Sequence, residues 1–94
     1  MRVLVIEDEQ KIAAALKRGL ELKGYAVDAV HDADTGLSHA LDADYDIILL
    51  DRMLPGSMDG VELARRARAG GQSAPIIMLT ARGSVSDKVE GLAG

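Results

Sequence analysis

Three short apolar runs punctuate the chain, at residues 3–6, 47–50 and 75–79, and each stops abruptly at an oxygen-bearing side chain. Continuous apolar runs of this length, followed by turn signals, read as strands buried on both faces. Between them the period lengthens. Residues 9–23 set Ile12, Leu16 and Leu20 at i, i+4 and i+8, the buried stripe of an amphipathic helix, and Gly24 supplies its stop. Residues 25–30 mix apolar and polar positions, as a strand nearer a sheet edge does. Residues 35–42 predict a short helix burying Leu37, Ala40 and Leu41. Residues 46–50 form the most hydrophobic strand, and so the central one. The Pro, Gly and Asp of residues 54–60 mark a loop. An Arg-rich helix follows over 61–69, stopped by Gly70 and Gly71, and a fourth strand over 75–80. Ser84 then caps a last helix, with Asp87 as its box partner and Val85, Val89 and Leu92 as its stripe.

Strands alternating with helices at this spacing imply βαβ units and a parallel sheet. Right-handed crossovers put helices on both faces, so the fold class is α/β with a doubly wound parallel sheet. Ninety-four residues allow one domain with a modest core. At 48% hydrophobic and 28% charged the chain is globular, and with no Phe or Trp its core is aliphatic. The absence of Cys excludes disulfides and thiolate metal sites. A net charge of −4 argues against a nucleic-acid grip by this segment. Arg65, Arg66 and Arg68 read as a solvated helix face rather than a phosphate patch. With neither a signal peptide nor a membrane-length apolar segment, the expected location is cytoplasmic.

The run ends carry the chemistry. The first stops at Glu7 and Asp8, the second at Asp51 and the third at Thr80. Ligands of open parallel sheets bind beyond the carboxyl ends of the strands. Three acids gathered there would repel one another, and a hard cation with oxygen ligands would remove that repulsion. The pattern therefore points to a divalent-metal site with phosphoryl chemistry beside it. Taken singly, Asp8 and Glu9 have a plainer use as caps of the first helix. Asp51 is harder to dismiss, because so apolar a strand points its last side chain into a partly desolvated pocket. Thr80 is either the N-cap of a turn or a hydroxyl donating to a phosphoryl oxygen.

The wording of these segments is similar to a known family. Val-Leu-Val-Ile-Glu-Asp-Glu at residues 3–9 resembles the opening of a response regulator receiver domain. Tyr-Asp-Ile-Ile-Leu-Leu-Asp-Arg-Met-Leu-Pro-Gly at 45–56 resembles its phosphorylation strand and loop. Asp59-Gly60 and the run from Pro75 to Arg82 match the next two signatures, and the wording is most like the winged-helix transcription factor branch. The resemblance implies a flavodoxin-like receiver fold with strand order 2-1-3-4. It implies Asp51 as phosphoacceptor from a sensor histidine kinase. It also implies Mg²⁺ held by Asp8, Asp51 and the Met53 carbonyl, with Glu7 acting through a water. Thr80 would bond the phosphoryl group and start the switch, and Met53 and Arg82 would modulate access of water to it. The chain would not be an enzyme in the turnover sense.

Two departures stand out. Ser57 looks like one extra residue before Asp59-Gly60, at the rim of the site. The sequence also stops before the family's fifth strand and helix, with their Lys and aromatic residue, and contains no DNA-binding output domain. Strand four would then be an exposed apolar edge and the Ile12–Leu16–Leu20 stripe partly uncovered, so self-association through these faces is expected. Competing functions are a non-phosphorylated interaction module or inactive fragment and, less favoured, a haloacid-dehalogenase-type phosphatase. That chemistry needs a second acid at position 53, which is Met.

Overall fold

Val3, Leu4, Val5 and Ile6 are completely shut off from solvent, and the rest of the molecule is arranged to keep them so. In the computed structural model, which describes residues 1–79, they form β1 (Arg2–Ile6). There follow α1 (Gln10–Leu22), β2 (Ala26–Val30), α2 (Ala33–Asp42), β3 (Ile47–Asp51), α3 (Gly60–Ala69) and β4 (Ile76–Leu79). All pairings are parallel and the order is β2-β1-β3-β4, the doubly wound α/β sheet that the alternation predicts. Thr80, Arg82 and the helix expected from Ser84 lie outside the described residues.

Alternate residues of each strand serve opposite faces. On one face Leu4, Ile6, Ile48 and Leu50 meet Ala40 of α2 and Leu63 and Ala67 of α3. On the other, Val3, Val5 and Val27 meet Leu16 and Leu20 of α1, with Ile47 and Leu49 packed alongside. β2 is an outer strand, as its mixed composition predicts. β3 is interior, but the strand sealed on both faces is β1. Ile47 and Leu49 of β3 are only half-buried, so the most hydrophobic run is not the most enclosed one.

Both predicted helix stripes are rotated at one edge. Ile12 is 44% exposed, and Ala13 is buried in its place. Each i+4 step turns about 40° around the helix, so Ile12 falls well to the side of Leu20 while Ala13 lies close to it. In α2, Leu41 is 47% exposed, and Ala33, Gly36 and Ala40 form the buried side with Leu37 beside them. That helix also starts earlier than its apolar pattern suggests. Asp32 takes the N-cap, its Oδ1 accepting the Thr35 N–H at 2.7 Å and its Oδ2 the Thr35 hydroxyl at 2.9 Å.

The remaining polar groups near the core are paired. The buried Tyr45 hydroxyl donates to Asp28 Oδ2 at 2.7 Å, and Arg2 reaches the same oxygen at 3.1 Å while stacking over the Tyr45 ring. Burial and then Asp28 push the Tyr45 hydroxyl up to about 12, and Tyr45 first, then Arg2, hold Asp28 below the usual carboxylate range. The three arginines of α3 follow the solvated reading: all are exposed, Arg65 and Arg66 pairing with Glu62 and Arg68 donating to the Gln72 carbonyl. No helix among the described residues is long and apolar enough to cross a membrane. Leu63→Ala should cost about 2–5 kcal/mol of unfolding free energy, whereas Ile12→Ala should stay within about 0.5 kcal/mol, as measured by urea denaturation.

Candidate functional site

The register of β1 against β3 builds the site. Ile6 is level with Leu50, so Glu7 and Asp51 leave the sheet side by side at the same end. Glu7, Asp8 and Asp51 each offer a carboxylate oxygen, and these oxygens lie within 4.8 Å of one another. Glu7 is 5% exposed and Asp51 8%, and they are the only charged residues buried among those described. The structure thus brings together the three acids singled out in the sequence.

Backbone amides orient them. The Glu9 N–H donates to Glu7 Oε2 at 3.1 Å, and the Met53 N–H donates to Asp51 Oδ1 at 2.9 Å. The second bond places the Met53 backbone beside Asp51, while its side chain is 66% exposed. The plainer reading of Glu9 as a helix cap is not realised. It occupies the N-cap position of α1, but its side chain makes no capping bond. Two further groups were not foreseen. The Glu7 amide donates to the Val30 carbonyl at 3.0 Å. His31, at the end of β2, lies with Nδ1 3.1 Å from the Glu7 carbonyl. A carbonyl only accepts, so Nδ1 carries the proton. A lone exposed His after a strand gives no sequence signal for this brace.

The loop after β3 is pinned at two points. Leu54 and Met58 are buried in the main core, and Gly56 and Ser57 form an exposed tip between them. The extra residue therefore sits where chain length changes least. Gly56 takes a φ of 100°, a conformation that favours glycine. The tip, with Asp59, Glu62 and Arg66, borders a shallow surface cleft.

Electrostatically the acid cluster is strained. Burial first, and then the neighbouring Asp51 and Asp8 carboxylates, push the Glu7 carboxyl up from 4.5 to about 7, against the lowering effect of the Glu9 amide. A hard divalent cation fits this donor set. All three groups offer oxygen, and positive charge would offset both the burial and the neighbouring carboxylates that make Glu7 hold its proton.

The comparisons with known proteins agree with this geometry. Residues 3–94 match the response regulator receiver domain family. The chain is 47% identical over 90 residues to the transcriptional regulatory protein YkoG of Bacillus subtilis, covering 96% of this chain and 39% of that one. It is 48% identical over 92 residues to the transcriptional regulatory protein DltR of Streptococcus agalactiae, covering 98% and 41%. It thus spans about two-fifths of the length of these relatives. Among solved structures, the Francisella response regulator 1452 receiver domain superposes with a TM-score of 0.81 at 34% identity, over 98% of this chain and 75% of that one. TrrA of Thermotoga maritima, solved in complex with Mg²⁺-BeF, gives 0.79 at 36% identity over 85% and 69%.

A carboxyl whose proton affinity is raised by folding favours the native state at low pH. Glu7 should therefore stabilise the metal-free fold fully below about pH 4.5, and this contribution should be lost as pH rises through about 7. Urea midpoints from pH 4 to 8 should show this fall in the parent chain, and Glu7→Gln should flatten that part of the profile.

Proposed function

The chain belongs to the response regulator receiver family of two-component systems, and from that premise we propose that Asp51 is its phosphoacceptor. The observation that carries the reading is the placement of Asp51, buried at the end of an interior strand with Glu7 and Asp8 oxygens within 4.8 Å. The donor is a phosphohistidine on a sensor histidine kinase or a small acyl phosphate. A carboxylate oxygen of Asp51 attacks phosphorus in line, and the bond from phosphorus to the donor atom breaks. The donor atom keeps the electron pair. Transfer of this kind needs positioning and charge stabilisation more than covalent complexity.

Asp8, Asp51 and the Met53 carbonyl would hold Mg²⁺, with Glu7 contributing less directly. When bound, the ion neutralises the charge that gathers on the transferring phosphoryl group. The protein's own groups do the rest. The Met53 amide engages Asp51 Oδ1 and so leaves Oδ2 as the freer oxygen for attack. The Glu9 amide and the His31 ring hold Glu7 in place. Thr80 would donate its hydroxyl to the phosphoryl group and begin the change of surface.

The downstream consequence we propose is control of transcription through a DNA-binding segment outside this chain. It is supported by relatives named as transcriptional regulators, of which this chain spans about two-fifths. Partner choice would shift on phosphorylation, including association with a second copy.

Incubation with Mg²⁺ and acetyl phosphate should yield a single labile phosphoryl adduct by intact-mass spectrometry, and Asp51→Asn should abolish it. Continuous release of phosphate would instead favour a phosphatase, and no adduct on a folded chain an interaction module. Asp8→Asn should weaken Mg²⁺ binding on the order of tenfold or more in calorimetric titration, since even groups that merely support a ligand matter on that scale.

A further inference from the structure

We propose that Gly60 is a positioning residue for Asp51, setting by backbone contact where the acceptor's main chain lies. Its consequence for phosphoryl acceptance rests on the reading of Asp51 given above. Its structural basis does not. Gly24, Gly56 and Gly71 adopt positive φ angles, and Gly60 does not. Backbone freedom is therefore not what position 60 requires. Space is. A Cβ at Gly60 would overlap the Asp51 carbonyl oxygen and lie 2.7 Å from Arg52 Cα and 3.1 Å from the Asp51 carbonyl carbon. These are backbone atoms of the acceptor strand and cannot rotate aside. The other crowded glycines are different: Gly36 faces the side chain of Ile6, and Gly70 faces the flexible tip of Leu41.

The contact is braced from two sides. The Gly60 N–H donates to the Arg52 carbonyl at 3.1 Å, fastening the first turn of α3 to the residue after Asp51. Asp59 caps that turn through the Glu62 N–H at 2.9 Å. From the opposite side the Arg52 N–H donates to the Leu79 carbonyl of β4 at 2.9 Å. Asp51 and Arg52 are thus gripped between β4 and α3, with glycine at the closest approach. Leu63 and Ala67 hold α3 in the core. A side chain at position 60 must therefore push the acceptor backbone or lift the helix. The Met53 N–H that orients Asp51 Oδ1 is one residue past this grip, so a push moves the carboxylate with the strand. In-line transfer is sensitive to displacements on the order of 1 Å.

The test compares Gly60→Ala with Leu63→Ala in the full chain. Leu63→Ala loosens α3 from the core without placing an atom against Asp51. In the metal-free, unphosphorylated chain, Gly60→Ala should shift the Arg52 and Met53 amide resonances. It should also speed exchange of the Met53 amide about tenfold more than Leu63→Ala does at matched stability. With Mg²⁺ and acetyl phosphate, labelling of Asp51 in Gly60→Ala should slow by roughly tenfold to a hundredfold. Folded Leu63→Ala should label at a rate close to the parent's. Unmoved amides, or labelling losses that follow stability equally in both variants, would overturn the proposal. If the parent chain takes no label, the reading of Asp51 fails, and the amide shifts alone decide the role of Gly60. Should Gly60→Ala unfold, trimethylamine N-oxide restores the compact state without relieving the overlap. Parent-like Arg52 and Met53 amides under that condition would likewise sink the idea.

Discussion

The parallel register of β1 against β3 is the constraint on which everything else in this structure depends. Because Ile6 is level with Leu50, the residues that follow them, Glu7 and Asp51, must emerge together. Both are shielded from water, which disfavours their charged forms first of all and also leaves their mutual repulsion poorly screened. Glu7 responds by holding its proton up to about pH 7. The arrangement opposes stability locally and persists because β1 beneath it is fully buried in an apolar core that tolerates no slip. A one-residue shift of β1 would turn Val3, Leu4, Val5 and Ile6 to the wrong faces.

The chain manages the strain with directed backbone donors rather than opposing charges. No Lys or Arg pairs with Glu7 or Asp51 among the described residues. Amides from Glu9 and Met53 each take one carboxylate oxygen, and the His31 ring and Val30 carbonyl hold the Glu7 main chain. This arrangement keeps the carboxylates fixed while leaving their remaining oxygens free. Such a donor set suits a hard divalent cation with oxygen ligands. The same economy explains the loop after β3. Leu54 and Met58 hold it in the core, so an added residue at the exposed tip, Gly56 and Ser57, leaves Asp51 undisturbed.

Much of this was legible in the residues. The apolar runs and their acidic ends gave the strands and three of the site residues, because a fully buried strand must be apolar and a charge at its end is conspicuous. The helix faces were less legible at their margins. Ile12 and Leu41 look like core by spacing, yet the helices settle on the smaller Ala13 and on Ala33, Gly36 and Ala40. Small residues allow close approach to the sheet, and a rule that ranks residues by hydrophobicity overlooks them. The Asp32 cap is not legible from the apolar pattern, which begins α2 only at its partner Thr35. His31 and Gly60 carry no local signature for their roles. Each acts on a residue that is distant in the chain or on its backbone alone.

By itself the sequence determined the alternation of strands and helices and the acidic character of the strand ends. These follow from local composition and period, which a chain carries wherever it goes. The tertiary structure decided which acid is most deeply buried, which amides orient the carboxylates, and how closely α3 may approach Asp51. Those depend on register and on distances between segments far apart in sequence. Only packing fixes such distances, because a few tenths of an ångström separate an accommodated side chain from one that displaces the strand.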